Sequence, residues 1–422
     1  MLVNVGKLMS HTSTKGGGGV KHPFNPSLVD AWFMSGLSNN DKPSSIRGVK
    51  GNEVVLKNFA FTSESGFGEG NYEGALVFDG VDDYGICNNL PILTDYTVIC
   101  RRVIENDTNV VASKSIVAGN GAFIFEYANN ATYSFSEYTS GLNMNLKDSV
   151  SYQTKNSYNG SVITVGTAND TDTLTLGIIR EKDSRLLKGA IYYFALYDKS
   201  LTPEEIETEK ERLNEEWLKR SKVTIPEPDV YYDLSLKDNS SPTRNIMDDL
   251  SGNGHDAEIF NAAYTESSGY RSDGAFVFDG VDDYAIMKNV KKGFKTVFME
   301  VIPSLTKERG GFLYDQRVGQ TSFGINISFN HIAYNAYNWG GVTYINRKLN
   351  TTMNGKEVYL KHQIITIVNG TDLKPQKVVL GGDIGLSGYF SNMALYKLIG
   401  FYDELTPLQI EKVINDYKLK YN

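Results

Sequence analysis

The chain has 422 residues, 41% of them hydrophobic and 12% aromatic, and its 42 Lys and Arg against 50 Asp and Glu leave a net charge of −8. That length accommodates two ordinary domains with cores of their own, and the acidic balance leaves no electrostatic footprint for nucleic acid or an anionic membrane. No apolar stretch approaches the length that spans a bilayer, and the N-terminal MLVNVGKLMSHTSTKGGGG lacks the continuous apolar core of a secretory signal, so neither membrane insertion nor ordinary export is expected.

Residues 1–27 hold Lys7, Lys15 and Lys21, the glycines Gly16–Gly19, and Pro23 and Pro26, with no hydrophobic period. They read as a flexible arm, either an anchor that orders on a partner protein or a tail without a role. The first strong signal is GALVFDGVDDY at Gly74–Tyr84, which returns as GAFVFDGVDDY at Gly274–Tyr284, 200 positions later, with Leu76 replaced by Phe276. Flanking pairs keep step: Asn58, Ala60, Thr62 and Gly66 answer Asn261, Ala263, Thr265 and Gly269. In both blocks a short apolar run meets Asp-Gly and Asp-Asp turn residues before alternation resumes, the pattern of a β-hairpin. Further β-branched and aromatic runs at Ala122–Tyr127, Ser161–Val165, Gly324–Phe329 and Gln363–Val368, separated by Asn, Asp, Gly and Ser, predict strands of a β-sandwich.

Each copy then closes on a helix. Thr202 and Thr406 are placed as N-caps, Pro203 and Pro407 at the first helical position, and Glu205 and Gln409 at the third, which makes a capping box in each. Ile206, Leu213 and Trp217 form one apolar face, and Ile410, Val413, Ile414 and Tyr417 the other, so both helices are expected to pack against the sandwich edge. The chain is thus a tandem duplication: an arm at 1–27, a first domain at 28–222, a Pro-stiffened linker at 223–227 and a second domain at 228–422. Cys87 and Cys100 are the only cysteines and face Met287 and Glu300 in the second copy, so free thiols are expected rather than a shared disulfide.

Two groups of residues suggest binding. Asp79, Asp82 and Asp83, with Asp279, Asp282 and Asp283, gather three carboxylates at one turn; this is an oxygen cluster suited to calcium, and equally the ordinary chemistry of a turn. Aromatic and amide side chains supply what a sugar needs, a flat face for its C–H surface and hydrogen-bonding groups for its hydroxyls. They concentrate at Tyr334, Tyr337, Asn338, Trp339 and Tyr344, with a thinner version at Tyr127, Tyr133 and Tyr138; the competing reading is that such aromatics simply fill a sheet face. No strand carries the alternating carboxylates of a retaining glycosidase, and His11, His22, His255, His331 and His362 show no metal-ligand spacing, so catalysis is not expected.

With those residues in view, each copy resembles a laminin-G-like domain of the concanavalin A-like lectin/glucanase superfamily, in the bacterial and phage form marked by a GALxFDGVDDY strand and an LTPEEI-like helix start. Asp248–Ala257 also matches the DxSGNGxxA-like segment of such domains, while the first copy has only Arg47–Gly51 there. The resemblance implies two tandem all-β jelly-roll sandwiches, each closed by a C-terminal helix. The segment from His22 is similar to laminin-G-like proteins of phages of gut Bacteroidetes, which implies a virion-surface protein that binds host-surface or mucus glycans, with the N-terminal arm meeting other virion proteins. A purely structural virion module and a glycoside-processing enzyme are the alternatives, calcium is a cofactor that several laminin-G-like relatives bind, and a homo-oligomer is left open.

Overall fold

A computed structural model describes residues 24–421, except 106–109, 116, 129, 181–184, 305–310, 317–323, 329–330, 334–341, 347, 350–359, 370–373, 376, 384 and 387–388. The chain divides into two compact units, Met1–Gly68 with Ala75–Trp217 and Glu69–Gly74 with Leu218–Asn422. Each is an all-β sandwich of two antiparallel sheets.

In the first unit one sheet runs in the order Ser161–Val162, Ser157–Tyr158, Ser149–Thr154, Thr97–Ile104, Lys188–Tyr197, Leu76–Asp79, Gly66–Phe67, and Leu28–Phe33 also pairs with Lys188–Tyr197. The facing sheet runs Glu137–Thr139, Ala131–Ser134, Phe123–Tyr127, Val110–Lys114, Leu174–Leu176, Tyr84–Cys87, Glu53–Lys57, Ser45–Arg47. Inward residues of both, among them Val98, Ile191 and Phe194 from the first and Cys87, Phe123, Phe125 and Leu176 from the second, form one buried core. Removing such side chains from water is the main force holding the two layers together. The second unit repeats the plan: Phe276–Asp279, Asn392–Phe401, Thr296–Ser304 and Gln363–Val368 lie side by side in one sheet, and Ala257–Phe260, Tyr284–Met287, Val378–Leu380 and Gly311–Asp315 in the other. Cys87 and Cys100 are free and buried, and desolvation raises both thiols, Cys87 to about 11.

The repeated GAxVFDGVDDY block is not the hairpin that its turn residues suggest. Leu76–Asp79 pairs with Lys188–Tyr197 and Gly66–Phe67 in one sheet, whereas Tyr84–Cys87 pairs with Glu53–Lys57 and Leu174–Leu176 in the other. The block is therefore an arch that carries the chain between layers, and Phe276–Asp279 and Tyr284–Met287 do the same. Gly80, at φ +80, supplies the reversal. Asp83, 1% exposed, holds the climb by accepting from the Asp79 amide at 3.1 Å and the Ser65 hydroxyl at 3.0 Å. Asn58 Nδ2 donates to the Asp82 carbonyl at 2.9 Å, and Asn261 does the same to Asp282 at 3.0 Å.

Both helices, α1 at Pro203–Ser221 and α2 at Pro407–Asp416, begin with the expected capping box: the Glu205 amide donates to Thr202 Oγ1 at 3.3 Å and the Thr202 amide to Glu205 Oε2 at 2.9 Å. They lie on the outer face of a sheet rather than along the sandwich edge. Ile410, Val413 and Ile414 join Phe298, Ile364, Ile399 and Phe401 in one buried cluster, and Trp217 meets Tyr192 edge-on at 5.6 Å. The outer face of that sheet is apolar where the helix sits and must be covered; a helix along the edge would leave those side chains in water. Residues 24–27, read from sequence as part of the arm, are held at α1: the Asn25 amide donates to Glu209 Oε1 at 3.3 Å.

The DxSGNGxxA-like segment is a turn knotted around one carboxylate. Asp249 accepts from the amides of Tyr231 and Ser251 through Oδ1, at 3.1 and 3.0 Å, and from the His255 amide through Oδ2 at 2.9 Å. In the first unit, which lacks the motif, Asp30 reaches over from the opening strand and accepts from the Lys50 and Asn52 amides at 2.8 and 2.9 Å. There the carboxylate comes from a strand, Leu28–Phe33, rather than from the turn segment itself.

Candidate functional site

Phe123–Tyr127 lies between Val110–Lys114 and Ala131–Ser134, and Glu137–Thr139 forms the edge of the sheet. Its first residues alternate as a half-buried strand does: Phe123 and Phe125 enter the core, while Ile124 joins Val110 and Ile179 in a small apolar cluster on the outer face. Alternation then breaks at Glu126, whose φ is +54. Ala131 stands opposite Tyr127 but Tyr133 opposite Ile124, so the strand Phe123–Tyr127 contains one extra residue. The bulge sends Glu126 inward and returns Tyr127 to the outer face beside Ile124.

Glu126 is stabilised there by the facing sheet. Arg102 donates through Nε to Glu126 Oε2 at 2.5 Å and through Nη2 to Oε1, and Tyr158 Oη donates to Oε1 at 2.6 Å. Of the three remaining guanidinium hydrogens, Ser149 and Ser151 accept one each at 2.6 and 2.9 Å and the Lys147 carbonyl accepts the third at 3.5 Å. Neither member of the ion pair is exposed. A buried carboxylate demands such a partner, and the Arg102–Glu126 bridge ties the two sheets together directly beneath the outward-facing tyrosines.

On the outer face Tyr127, Tyr133 and Tyr138, from three adjacent strands, come together. Tyr133 and Tyr138 are paired across the strands with ring centres 5.1 Å apart; Tyr127 meets Tyr133 edge-on at 5.4 Å and Tyr138 edge-on at 6.4 Å. Tyr138 is 43% exposed and the other two are half-buried over the Val110, Ile124, Ile179 floor. The Arg185 guanidinium lies 5.3 Å from the Tyr127 ring centre, a cation–π contact. Burial raises the Tyr133 hydroxyl above its ordinary value, Tyr127 and Tyr138 add to this, and Arg185 and Arg180 oppose it. Arg180 Nε is buried without a hydrogen-bond partner among the described residues. The patch offers ring faces and hydroxyls on one surface, with the Arg185 guanidinium beside Tyr127. Tyr127, Tyr133 and Tyr138 were legible as a weak cluster in the sequence; Arg180 and Arg185 were not, because they come from a later segment and carry no motif.

The other sequence candidates are placed differently. Tyr344 sits on Val342–Ile345, half-buried against the cluster beneath α2, and burial raises its hydroxyl. Tyr334, Tyr337, Asn338 and Trp339 lie outside the described residues.

One ligand oxygen from each of Asp79, Asp82 and Asp83 lies within 4.8 Å of the others, and Asp279, Asp282 and Asp283 repeat this spacing. Two of each three carboxylates are already engaged with the arch. The Val81 amide donates to Asp79 Oδ1 and the Val281 amide to Asp279 Oδ1, each at 2.7 Å, and the Asp279 amide donates to Asp283 Oδ2 at 3.0 Å. Burial, reinforced by the neighbouring carboxylates against these hydrogen bonds, raises Asp83 to about 6 and also raises Asp283. These are the contacts of turn carboxylates, and Asp82 and Asp282, both exposed, are the members free to meet a cation.

No family model matches the chain, and no curated protein matches it. Among solved structures, a mutant of Trypanosoma rangeli sialidase displaying trans-sialidase activity is 16% identical, with a TM-score of 0.31, over 45% of this chain and 33% of its own. Domain 4 of AbnA, a GH43 extracellular arabinanase from Geobacillus stearothermophilus in complex with arabinotriose, is 15% identical over 43% of this chain and 97% of its own, with a TM-score of 0.28. The binding domain of botulinum neurotoxin serotype D is 11% identical over 90% of this chain and 98% of its own, with a TM-score of 0.33. The chain spans about a third of the length of the sialidase. Likeness at this level carries no information about ligand or activity.

Proposed function

We propose that this is a non-catalytic glycan-binding protein whose contact surface is the tyrosine patch of the first sandwich, and that its setting is a virion surface. The observation that carries the reading is the convergence of Tyr127, Tyr133 and Tyr138 from three adjacent strands, with the outermost ring 43% exposed. Aromatic faces clustered with hydroxyl and guanidinium donors suit a pyranose, whose C–H face packs on a ring while its hydroxyls take hydrogen bonds. The virion setting rests on the resemblance of both copies to phage-encoded laminin-G-like domains.

The test is a glycan array probed with the full chain, with Tyr138→Ala and Trp339→Ala as separate variants. Tyr138→Ala should lower binding by about tenfold or more, as loss of an anchoring aromatic does, with a thermal midpoint close to wild type because the side chain is largely exposed. Unchanged binding by Tyr138→Ala would remove the patch as the contact. Loss of binding in Trp339→Ala with an unchanged midpoint would move the contact to the second sandwich. A wild-type chain that binds nothing on the array would favour a purely structural module, and release of reducing sugar from a bound glycan would favour an enzyme.

A further inference from the structure

Lys114 ends the strand Val110–Lys114 of the first sandwich with its amine turned inward: neither it nor the Asp170 carboxylate has exposed side-chain surface. Lys114 Nζ stands 2.6 Å from Asp170 Oδ2 and also donates to the Thr171 carbonyl. The carboxylate is fixed by two further donors, the Leu93 amide to Oδ2 at 2.7 Å and the Ala122 amide to Oδ1 at 2.9 Å. Burial lowers the Lys114 amine from its ordinary value, against the opposing pull of Asp170 and Asp172. Taking two charges out of water is costly, and that cost vanishes if the pair becomes a neutral group.

The second sandwich fills the same place with an uncharged amide. Gly177 and Gly381 are equivalent, since a Cβ on either would fall 2.4 Å from the ring of Phe78 or Phe278. Leu176, just before the first glycine, stands opposite Ala112, and Leu380, just before the second, opposite Tyr314, so Lys114 and Gln316 are equivalent positions two residues further on. Gln316 is buried; it accepts from the Phe294 amide through Oε1 at 3.0 Å and donates to the Phe294 carbonyl through Nε2 at 2.8 Å. Phe294 and Leu93 each lie just ahead of the strand that opens at Thr296 or Thr97. One copy thus fastens this segment with a neutral amide, and the other with a buried pair of charges whose condensation product is an amide.

We propose that Lys114 and Asp170 join in an intramolecular isopeptide bond, formed by the folded sandwich with no other reactant. The ion pair shares a proton; moved from Nζ to the carboxylate, it leaves a free amine against a carboxylic acid. The Nζ lone pair then bonds to Cγ, one carbon–oxygen bond beyond the oxygen it already touches, while the Leu93 and Ala122 amides stabilise charge developing on the carboxyl oxygens. The bond from Cγ to one of those oxygens breaks, and that oxygen leaves as water with the acid proton and one amine proton. Nothing is oxidised or reduced. The new bond closes a covalent loop around residues 115–169, which include the strands bearing Tyr127, Tyr133 and Tyr138, and a cross-link over so long a loop restrains the unfolded chain.

The full chain, folded and held at neutral pH for several days, is weighed by mass spectrometry under denaturing conditions and then digested with trypsin. It should be lighter than its sequence by one water, resist cleavage after Lys114, and yield a branched peptide that joins Lys114 to Asp170. Lys114→Met and Asp170→Ala should each show the full sequence mass. The wild-type mass and the branched peptide carry the test, so a variant that fails to fold takes nothing from it. A wild-type chain at full sequence mass overturns the inference. So does a lost water that persists in Lys114→Met or maps elsewhere, for example to a cyclic imide at Asp79-Gly80 or Asp279-Gly280, which hydroxylamine opens and an isopeptide bond survives. Either result leaves the glycan reading untouched, because that reading is tested on the array.

Discussion

Replacing Arg102 by methionine removes one side of a fully buried ion pair. Glu126 would keep the Tyr158 hydroxyl, at 2.6 Å, but lose both guanidinium donors, and neither carboxylate oxygen can reach water because the side chain has no exposed surface. Removing one partner of a buried pair generally costs about 3–5 kcal/mol, most of it the uncompensated charge, and the surviving tyrosine bond favours the lower end. With a urea m-value of about 2–3 kcal/mol/M for a domain of this size, the midpoint should fall by roughly 1–2 M. Tryptophan emission is the natural probe, because Trp32 and Trp217, two of the three tryptophans, are buried in the first sandwich. The double variant Arg102→Met/Glu126→Gln discharges the stranded carboxylate while leaving Tyr158 an acceptor, and should recover about half of the loss. A single variant that loses less than about 1 kcal/mol, or a double variant no better than the single, would refute the claim that this bridge holds the bulge beneath the tyrosines.

Asp83 makes stability depend on pH in the direction opposite to most carboxylates. Its folded-state value, about 6, lies above the ordinary 3.8, so the folded chain binds the extra proton between these values, and this residue's contribution to stability rises as pH falls from 7 through 6 towards 4. The stability of wild type minus that of Asp83→Asn, followed in urea across this window, should therefore grow on acidification; a flat difference would show that the carboxylate is not destabilised by burial. Calcium added after chelation should leave the thermal midpoint within about 1 °C, because two carboxylates of each triplet are already engaged with the arch. A rise of several degrees that follows calcium concentration would instead reveal binding to the folded state.

Local chemistry was enough to establish the duplication, the strand-rich character and both capped helices. Thr202, Pro203 and Glu205 satisfy a helix terminus from within four residues, so no distant contact is needed to read it. The arch shows where such reading stops. Asp-Gly announces a reversal, but whether the strands on either side pair with one another or with Lys188–Tyr197 and Leu174–Leu176 depends on residues more than a hundred and about ninety positions away respectively. The helices posed the same problem: their apolar faces were evident, but the sheet face that covers them exists only once the strands have assembled. At the candidate site the sequence marks three tyrosines, and no local rule marks the bulge at Glu126 that turns Tyr127 outward, because that bulge is held by an arginine from the opposite sheet. Residue type and spacing determined which elements form; the tertiary structure decided which face each side chain occupies, since that choice depends on burying charge against a partner and apolar surface against a neighbour, both supplied from remote parts of the chain.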